Sequence, residues 1–329
     1  MVSRTKKSRM LSMLPCVVKQ AKHASCLAIW LAVLCMPAFL AAQDTASRQD
    51  AAAPIRVALS SDSFTGVNHN DVLAAIKTWA QVILKQRGVA VEVKTRISDS
   101  PEEMAEALRS GQTDAASIPT DEFLRLKEMP EFIFLPTRKN SFTERYVILV
   151  HRNSDITSVA NLQGRKLLLY NNPRMSLASA WVAALMGLPI TESVEMTRID
   201  NASRTILPVF FRQADACVIT SNVFEIACEL NPQLQKELRV LATSPEVVPA
   251  VFFFRPGYAS HGKDELVAAM LTLHDTPAGQ QVLMLFQGDG MVKQPISCLE
   301  STRQLLQDEG GRSKHLSKGN PLLQKENTQ

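Results

Sequence analysis

Signatures of catalysis are absent from this 329-residue sequence. It has no Gly-x-Ser-x-Gly turn of a serine hydrolase, no His-Glu-x-x-His pair of a zinc protease and no Walker loop for nucleotide phosphates. The six histidines are scattered, and the spacing around His69 and His151 supplies no second or third metal ligand. We therefore expect no catalytic residue, no metal site and no cofactor.

Long apolar runs are also scarce, and the one near the N-terminus is short. The first 42 residues carry six basic side chains and no acidic one, and an apolar run from Cys26 to Leu40 precedes Ala41 and Ala42. This order is typical of a secretory signal peptide, residues 1–42, and predicts a periplasmic protein. An uncleaved anchor is the alternative, although the run is shorter than the ~20 residues that span a bilayer.

Few cysteines follow the leader. They are Cys217, Cys228 and Cys298. An odd number of three allows at most one internal pair, so no disulfide framework holds this fold, although a bridge between Cys217 and Cys228 stays open. We expect these two as small core residues and not as nucleophiles.

Excess charge of either sign is absent once the leader is removed. The chain has 36 basic residues, of which six lie in the first 42 residues. The remaining 30 stand against 32 acidic residues, which gives a net charge of about −2. The basic isoelectric point therefore belongs to the leader, and it gives no indication of a nucleic-acid partner.

The rest of the chain shows strands and helices that alternate twice in the same order. The first unit has strands at 56–60, 89–97 and 114–118, with one helix capped by Asn70 or Asp71 and another by Ser100. The second unit has strands at 166–170, 194–199 and 215–219, with helices at 176–186 and 203–212. Asp114-Ala115 and Asp215-Ala216 mark the same point 101 positions apart. Two such units predict an α/β protein of two lobes, each a mostly parallel sheet flanked by helices.

Two further strands, 146–150 and 251–254, flank the second unit and suit two chain crossings that form a hinge. We therefore expect residues 54–145 with 250–296 to form lobe 1 and residues 146–249 to form lobe 2. Helices are expected at 263–274 and 277–286. The polar residues 303–329 predict a disordered tail.

Hydroxyl and amide side chains follow the carboxyl ends of the predicted strands, where ligands of parallel sheets bind. Helix caps and turns can explain any one of them, but four such ends in two matching units favour a polar cleft. Phe64 could stack on a ligand or simply pack. The predicted ligand contacts are Ser60, Ser61, Phe64, Thr120, Asp121, Asn172, Ser176, Ser221 and Asn222.

Several short segments carry a resemblance to a known family. They are Ser110-Gly-Gln-Thr-Asp-Ala115, Ser154-Asp-Ile156, Leu162-Gln-Gly-Arg-Lys166, Asp215-Ala216 and Thr276-Pro-Ala-Gly279. In order and spacing the chain from Arg56 to about Lys293 resembles the periplasmic phosphate/phosphite/phosphonate-binding proteins of ABC transporters. The resemblance implies the type II periplasmic binding fold, a small-molecule ligand, a membrane permease as partner, a monomer and no catalysis.

The ligand loop departs from the family pattern. The family has Asp-Pro-x-Ser-Thr-Ser-Gly, whose hydroxyls and helix N-terminus hold the anion. This chain has Asn172-Pro-Arg-Met-Ser-Leu-Ala178, so that Ser176 alone keeps its hydroxyl, while Arg174 could add a charge. This departure puts a phosphonate ligand in doubt.

Two further positions follow from the resemblance. The family's tyrosine before the first crossing falls at Glu144, with Tyr146 two residues on. Asp215 matches an acid that can meet a ligand amine, and a local cap or salt bridge is the alternative for it. A phosphonate-like anionic or zwitterionic ligand is expected by resemblance, whereas an acid in the cleft suits a cationic or zwitterionic one.

The sequence thus predicts an exported solute-binding protein that closes two lobes around a small ligand for an ABC-type permease. A ligand-sensing domain that reports to a membrane histidine kinase is an alternative within binding. A secreted α/β hydrolase or transferase is the alternative from another class.

Overall fold

The structure, a computed structural model, describes residues 52–64, 67–187, 194–260 and 262–307. All of them belong to one compact unit, Ala51–Gln329. The predicted signal peptide lies outside the described residues. No helix in the described ranges is both long enough and apolar enough to cross a membrane.

Eleven strands and nine α-helices begin and end within these ranges, apart from the helical residues 300–307 described below. The strands are β1 Ala52–Ser60, β2 Val91–Ser98, β3 Ala115–Pro119, β4 Phe132–Thr137, β5 Tyr146–His151, β6 Lys166–Tyr170, β7 Glu195–Ile199, β8 Ala216–Thr220, β9 Leu238–Thr243, β10 Ala250–Phe254 and β11 Gly290–Pro295. The helices are α1 His69–Gln86, α2 Pro101–Arg109, α3 Thr120–Leu124, α4 Ala178–Met186, α5 Ala202–Phe210, α6 Ser221–Leu230, α7 Gln233–Glu237, α8 Lys263–Leu271 and α9 Pro277–Leu285.

Side-chain caps set where several helices begin. The Ser100 hydroxyl accepts the Glu103 N–H at 3.2 Å ahead of Pro101, and Thr276 accepts the Gly279 N–H at 3.1 Å. The cap of α1 is Asn68, whose Oδ1 accepts the Asn70 N–H at 2.9 Å. The expected cap at residue 70 or 71 is therefore wrong by two or three positions, because an Asx turn starts the helix earlier.

The strands form two sheets with the same central arrangement. One sheet has the order β11-β4-β10-β3-β1-β2 and the other β7-β6-β8-β5-β9. In each sheet the first strand of a βαβαβ unit lies between the other two and is parallel to both, as β1 is to β2 and β3, and β6 is to β7 and β8. An antiparallel strand, β10 or β5, then pairs with the third. The predicted duplication and the two-lobed α/β fold class are confirmed.

The chain passes between the sheets twice. The first passage lies between β4 and β5, and the second lies between β9 and β10. Apolar clusters that include helix side chains pack on both faces of each sheet, which is where almost continuously apolar central strands are found. All five residues of β3 and of β8 are buried, which keeps the ends of these strands in fixed positions.

The C-terminal part of the described chain is ordered beyond the expected start of the tail. Residues 300–307 are helical. The Thr302 hydroxyl accepts the Val248 N–H at 3.0 Å, and Leu305 packs in the core beside β5 and β6. The expected start of disorder at residue 303 is therefore too early, because Leu305 supplies a buried apolar contact. Residues 308–329 lie outside the described residues.

Candidate functional site

A polar cavity of about 310 Å³ lies at the carboxyl ends of strands from both sheets. Its lining residues are Asp62, Pro119, Asp121, Glu122, Asn171, Asn172, Pro173, Met175, Ser176 and Arg198. Asp62 follows β1 of the first sheet, Pro119 ends β3, and Asp121 and Glu122 follow β3. Five of the others follow β6, and Arg198 lies near the end of β7. Ligands of parallel sheets bind at this edge, so we take this cavity as the candidate site.

Three predicted residues line the cavity directly, namely Asp121, Asn172 and Ser176. Ser60 lies one contact away, since its Oγ donates to Glu122 Oε1 at 3.3 Å. Ser61 opens the turn that carries Asp62.

Thr120 lies in the chain between two lining residues, Pro119 and Asp121. Its hydroxyl is fully buried and has no hydrogen-bond partner among the described residues.

The remaining predicted residues do not line this cavity. Phe64 is 1% exposed and packs edge-to-face on Phe286, with ring centroids 5.4 Å apart, so it belongs to the core. Ser221 and Asn222 begin α6, where the Ser221 N–H donates to the Arg145 carbonyl at 2.8 Å.

Asp215 lies at the opposite end of the second sheet. Its Oδ2 accepts the N–H of Lys166, the first residue of β6, at 2.9 Å, and its Oδ1 lies 3.5 Å from Arg165. Asp215 therefore makes the local contacts of the structural alternative, away from the cavity.

In the ligand loop, residues 172–178, the polar side chains form hydrogen bonds with other groups of the protein. Asn172 Oδ1 accepts the Arg174 N–H at 3.0 Å, and Ser176 Oγ donates to the Pro249 carbonyl at 2.9 Å. Met175 and Leu177, which stand where the family has hydroxyls, are 2% and 1% exposed in the core. The loop therefore presents no free side-chain hydroxyl to the cavity.

Arg174 points inward and forms a buried ion pair. Its Nε donates to Glu144 Oε1, and the two side chains are each 6% exposed. Arg174 Nη1 also donates to the Gln287 carbonyl, which precedes β11, at 3.4 Å. The charge that the sequence offers for an anionic ligand is thus already neutralised.

Tyr146 supports this loop from below. Its side chain is fully buried, and its hydroxyl donates to the Arg174 carbonyl at 3.0 Å. Burial raises the pKa of Tyr146, so the phenol stays a neutral donor. Tyr146 therefore positions the ligand loop and does not line the cavity.

Acidic side chains dominate the charge of the cavity. Asp62, Asp121 and Glu122 face a single lining cation, Arg198, among the described residues. Burial, followed by the charges of Asp121 and Asp62, raises the pKa of Glu122 to about 7. Sequence reasoning missed Asp62, Glu122 and Arg198, although two of them directly follow predicted site residues.

Neither a metal-binding cluster nor a disulfide occurs in the described ranges. No group of three or more His, Cys, Asp and Glu side chains there could hold a metal ion. Cys217, Cys228 and Cys298 are free thiols, so the bridge left open between the first two is not formed.

Comparison with known proteins agrees with the two-sheet fold. A protein-family model described as "ABC transporter, phosphonate, periplasmic substrate-binding protein" matches residues 65–295. Among curated proteins, no sequence matches this chain.

Solved structures share the fold. PhnD1 from Prochlorococcus marinus in complex with methylphosphonate has 18% identity and a TM-score of 0.52, over 80% of this chain and 98% of that one. A binding protein component of an ABC phosphonate transporter from Pseudomonas aeruginosa, PA3383, has 14% identity and a TM-score of 0.51, over 84% and 91%. XAC2383 from Xanthomonas citri bound to ATP has 16% identity and a TM-score of 0.54, over 81% and 99%.

Proposed function

Since this chain belongs to the phosphonate family of periplasmic substrate-binding proteins of ABC transporters, we propose that it captures one small solute in the cavity between its two sheets and presents it to an ABC-type permease. The binding step involves no covalent chemistry. The proposal includes removal of residues 1–42 as a signal peptide and action as a monomer in the periplasm, which is the compartment of the family.

The observation that carries this proposal is the composition of the cavity wall. Matching loops of the two repeated units meet there, after β1 and β3 on one side and after β6 on the other. Two chain passages join the sheets, which is the connectivity of a hinge. A solute that contacts both sides stabilises the closed arrangement by its differential contacts, and closure by population shift follows.

We call the part with the sheet around β1 the first half and the part with the sheet around β6 the second half. Hydrogen bonds between the two halves indicate which bonds accompany closure. The Pro249 carbonyl, in the second passage one residue before β10, accepts the Thr120 N–H at 3.0 Å from the first half and the Ser176 hydroxyl at 2.9 Å from the second. Arg174 reaches the Gln287 carbonyl in the same way.

A thermal-shift panel tests the proposal. The purified mature chain is heated with phosphate, phosphonates, sulfonates, amino acids and amines, and a ligand at 100 times its Kd adds about 2.7 kcal/mol to the free energy of unfolding. Saturable stabilisation without turnover of the solute supports binding as the task. A panel without any stabilising solute, together with measured turnover of an ester or a phosphoryl donor, would replace it with the hydrolase or transferase alternative.

A further inference from the structure

We propose that the cavity takes a small organic cation, with a protonated amine facing Asp62, Asp121 and Glu122, and that it does not take a phosphonate. This inference rests on the proposed function, because it names the class of solute that the same cavity binds. It separates this chain from the phosphonate ligand that its family description implies.

In the ligand loop, the side chains able to hold an anion already have partners within the protein. Arg174 is paired with Glu144, and the Ser176 proton goes to the Pro249 carbonyl. Met175 and Leu177 are buried in the core of the second half. The loop therefore offers a phosphonate no free hydroxyl and no unpaired cation of its own, and Arg198 is the one cation of the described residues that lines the cavity.

Glu122 is a buried carboxyl that forms no ion pair within the described residues. Glu122 is 7% exposed and lines the cavity, and its one side-chain hydrogen bond among the described residues comes from Ser60 at 3.3 Å. A buried carboxylate normally has a paired charge or several donors. A ligand ammonium in the cavity supplies the missing positive charge.

Asp62 and Asp121 extend this negative wall toward solvent. Asp62 is exposed and forms no ion pair within the described ranges, whereas Asp121 lies 3.1 Å from Arg125, which is 71% exposed. Because the Arg125 side chain is mostly in solvent, this ion pair contributes little, and Asp121 can exchange it for a contact with a ligand.

Arg198, on the opposite wall, is exposed and donates to Ser179 Oγ at 2.9 Å. The three carboxyl groups therefore outweigh the single cation, and the electrostatic field inside the cavity favours positive charge.

The experiment compares three solutes of one chain length by calorimetry and thermal shift at pH 8. They are 1,4-diaminobutane, 4-aminobutanoic acid and butylphosphonate. We expect the diamine to bind, the amino acid to bind at least tenfold more weakly, and the phosphonate not to stabilise the protein. Glu122→Gln and Asp62→Asn should each weaken diamine binding at least tenfold.

Asp264→Asn is the matched control, since Asp264 is exposed in the first turn of α8 and does not line the cavity. Diamine affinity should not change in this variant. The melting curve of each variant shows whether it is folded, so that lost binding is not confused with unfolding.

Distinct outcomes separate the two proposals. If butylphosphonate or 4-aminobutanoic acid binds as tightly as the diamine, the cation inference is wrong while solute binding stands. If the diamine binds equally well to Glu122→Gln and Asp62→Asn, the assigned carboxyl groups are wrong. If neither these solutes nor the wider panel stabilises the protein, both the inference and the proposed function fail.

Discussion

At the scale of one residue, the buried carboxyl of Glu122 indicates that the cavity serves binding more than stability. Burial raises the pKa of Glu122 from 4.5 to about 7, so the folded protein holds this proton more tightly than the unfolded chain does. The free energy of unfolding therefore falls as pH rises from 4.5 to 7. A carboxyl that opposes folding at neutral pH is a common property of binding and catalytic sites.

Replacing Glu122 with Gln should consequently stabilise the protein while it weakens binding. At pH 8 we expect a gain of about 2 kcal/mol in the free energy of unfolding, and at pH 4 no gain, because the wild-type carboxyl is then neutral in both states. Urea titrations at the two pH values measure this difference. An equal effect at both would show that the Glu122 charge does not oppose folding.

Arg174 and Glu144 differ from Glu122, because each of these buried charges is paired with the other. Arg174→Met should cost about 3–5 kcal/mol, because it leaves the Glu144 carboxylate buried without its cation. Arg145→Ala is the control, since its partner Glu246 and Arg145 itself are about half exposed, and it should cost less than about 1 kcal/mol. Similar losses in the two variants would contradict a buried, structural role for Arg174.

Residue types predicted the place of the site better than its contacts. Asp121, Asn172 and Ser176 were expected at strand ends, and parallel strands do bring them to one cavity. The direction of a side chain is not contained in its spacing, so nothing in the sequence showed that Arg174 turns inward. Asp215 was predicted by resemblance, but it lies at the amino end of its strand.

Asp114 and Asp215 reveal, at the scale of elements, a device repeated in both halves. Each carboxylate accepts the N–H of a residue in the first strand of its unit, Arg56 in the middle of β1 or Lys166 at the start of β6, at 2.9 Å. Each residue also donates its own N–H to the carbonyl of that partner. The device ties the third strand of each unit to the first.

Asp114→Asn should cost more stability than Asp215→Asn. The Asp114 side chain is 1% exposed and lies 2.8 Å from Arg56, whereas that of Asp215 is 35% exposed. We expect a loss of about 2–4 kcal/mol for the first and about 1 kcal/mol or less for the second. Denaturant titration measures both, and Asp215→Asn should leave ligand affinity unchanged. A weakened affinity in that variant would return Asp215 to the site.

Among the strands, sequence reasoning missed β4, β9 and β11, which are antiparallel to their neighbours. Pro136 interrupts the apolar pattern of β4, and Pro295 ends β11, so both segments lack the usual strand signal. The pairing of β9 with β5 contains a register shift. Local periodicity predicted the repeated parallel strands, whereas these strands depend on neighbours that are distant in the sequence.

The whole molecule joins these features into one binding cycle. In the proposed cycle the halves move about the passages between the sheets, and the cavity wall is divided between the halves. The proposed ligand charge faces Glu122, while Ser176 donates a hydrogen bond to Pro249 in the second passage. Affinity therefore depends on two separable quantities, the contacts with the solute and the free energy of closure.

Ser176→Ala separates these two quantities. It removes the bond from Ser176 Oγ to the Pro249 carbonyl, worth about 1 kcal/mol, so the closed form is less populated and the apparent affinity should fall about fivefold for every ligand, whatever its charge. Calorimetry measures the affinity, and X-ray scattering with and without ligand measures the compaction. Ser158→Ala is the control, because its hydroxyl contacts Asn161 within the second half and should not affect closure. A loss confined to one ligand would show instead that Ser176 contacts that solute directly.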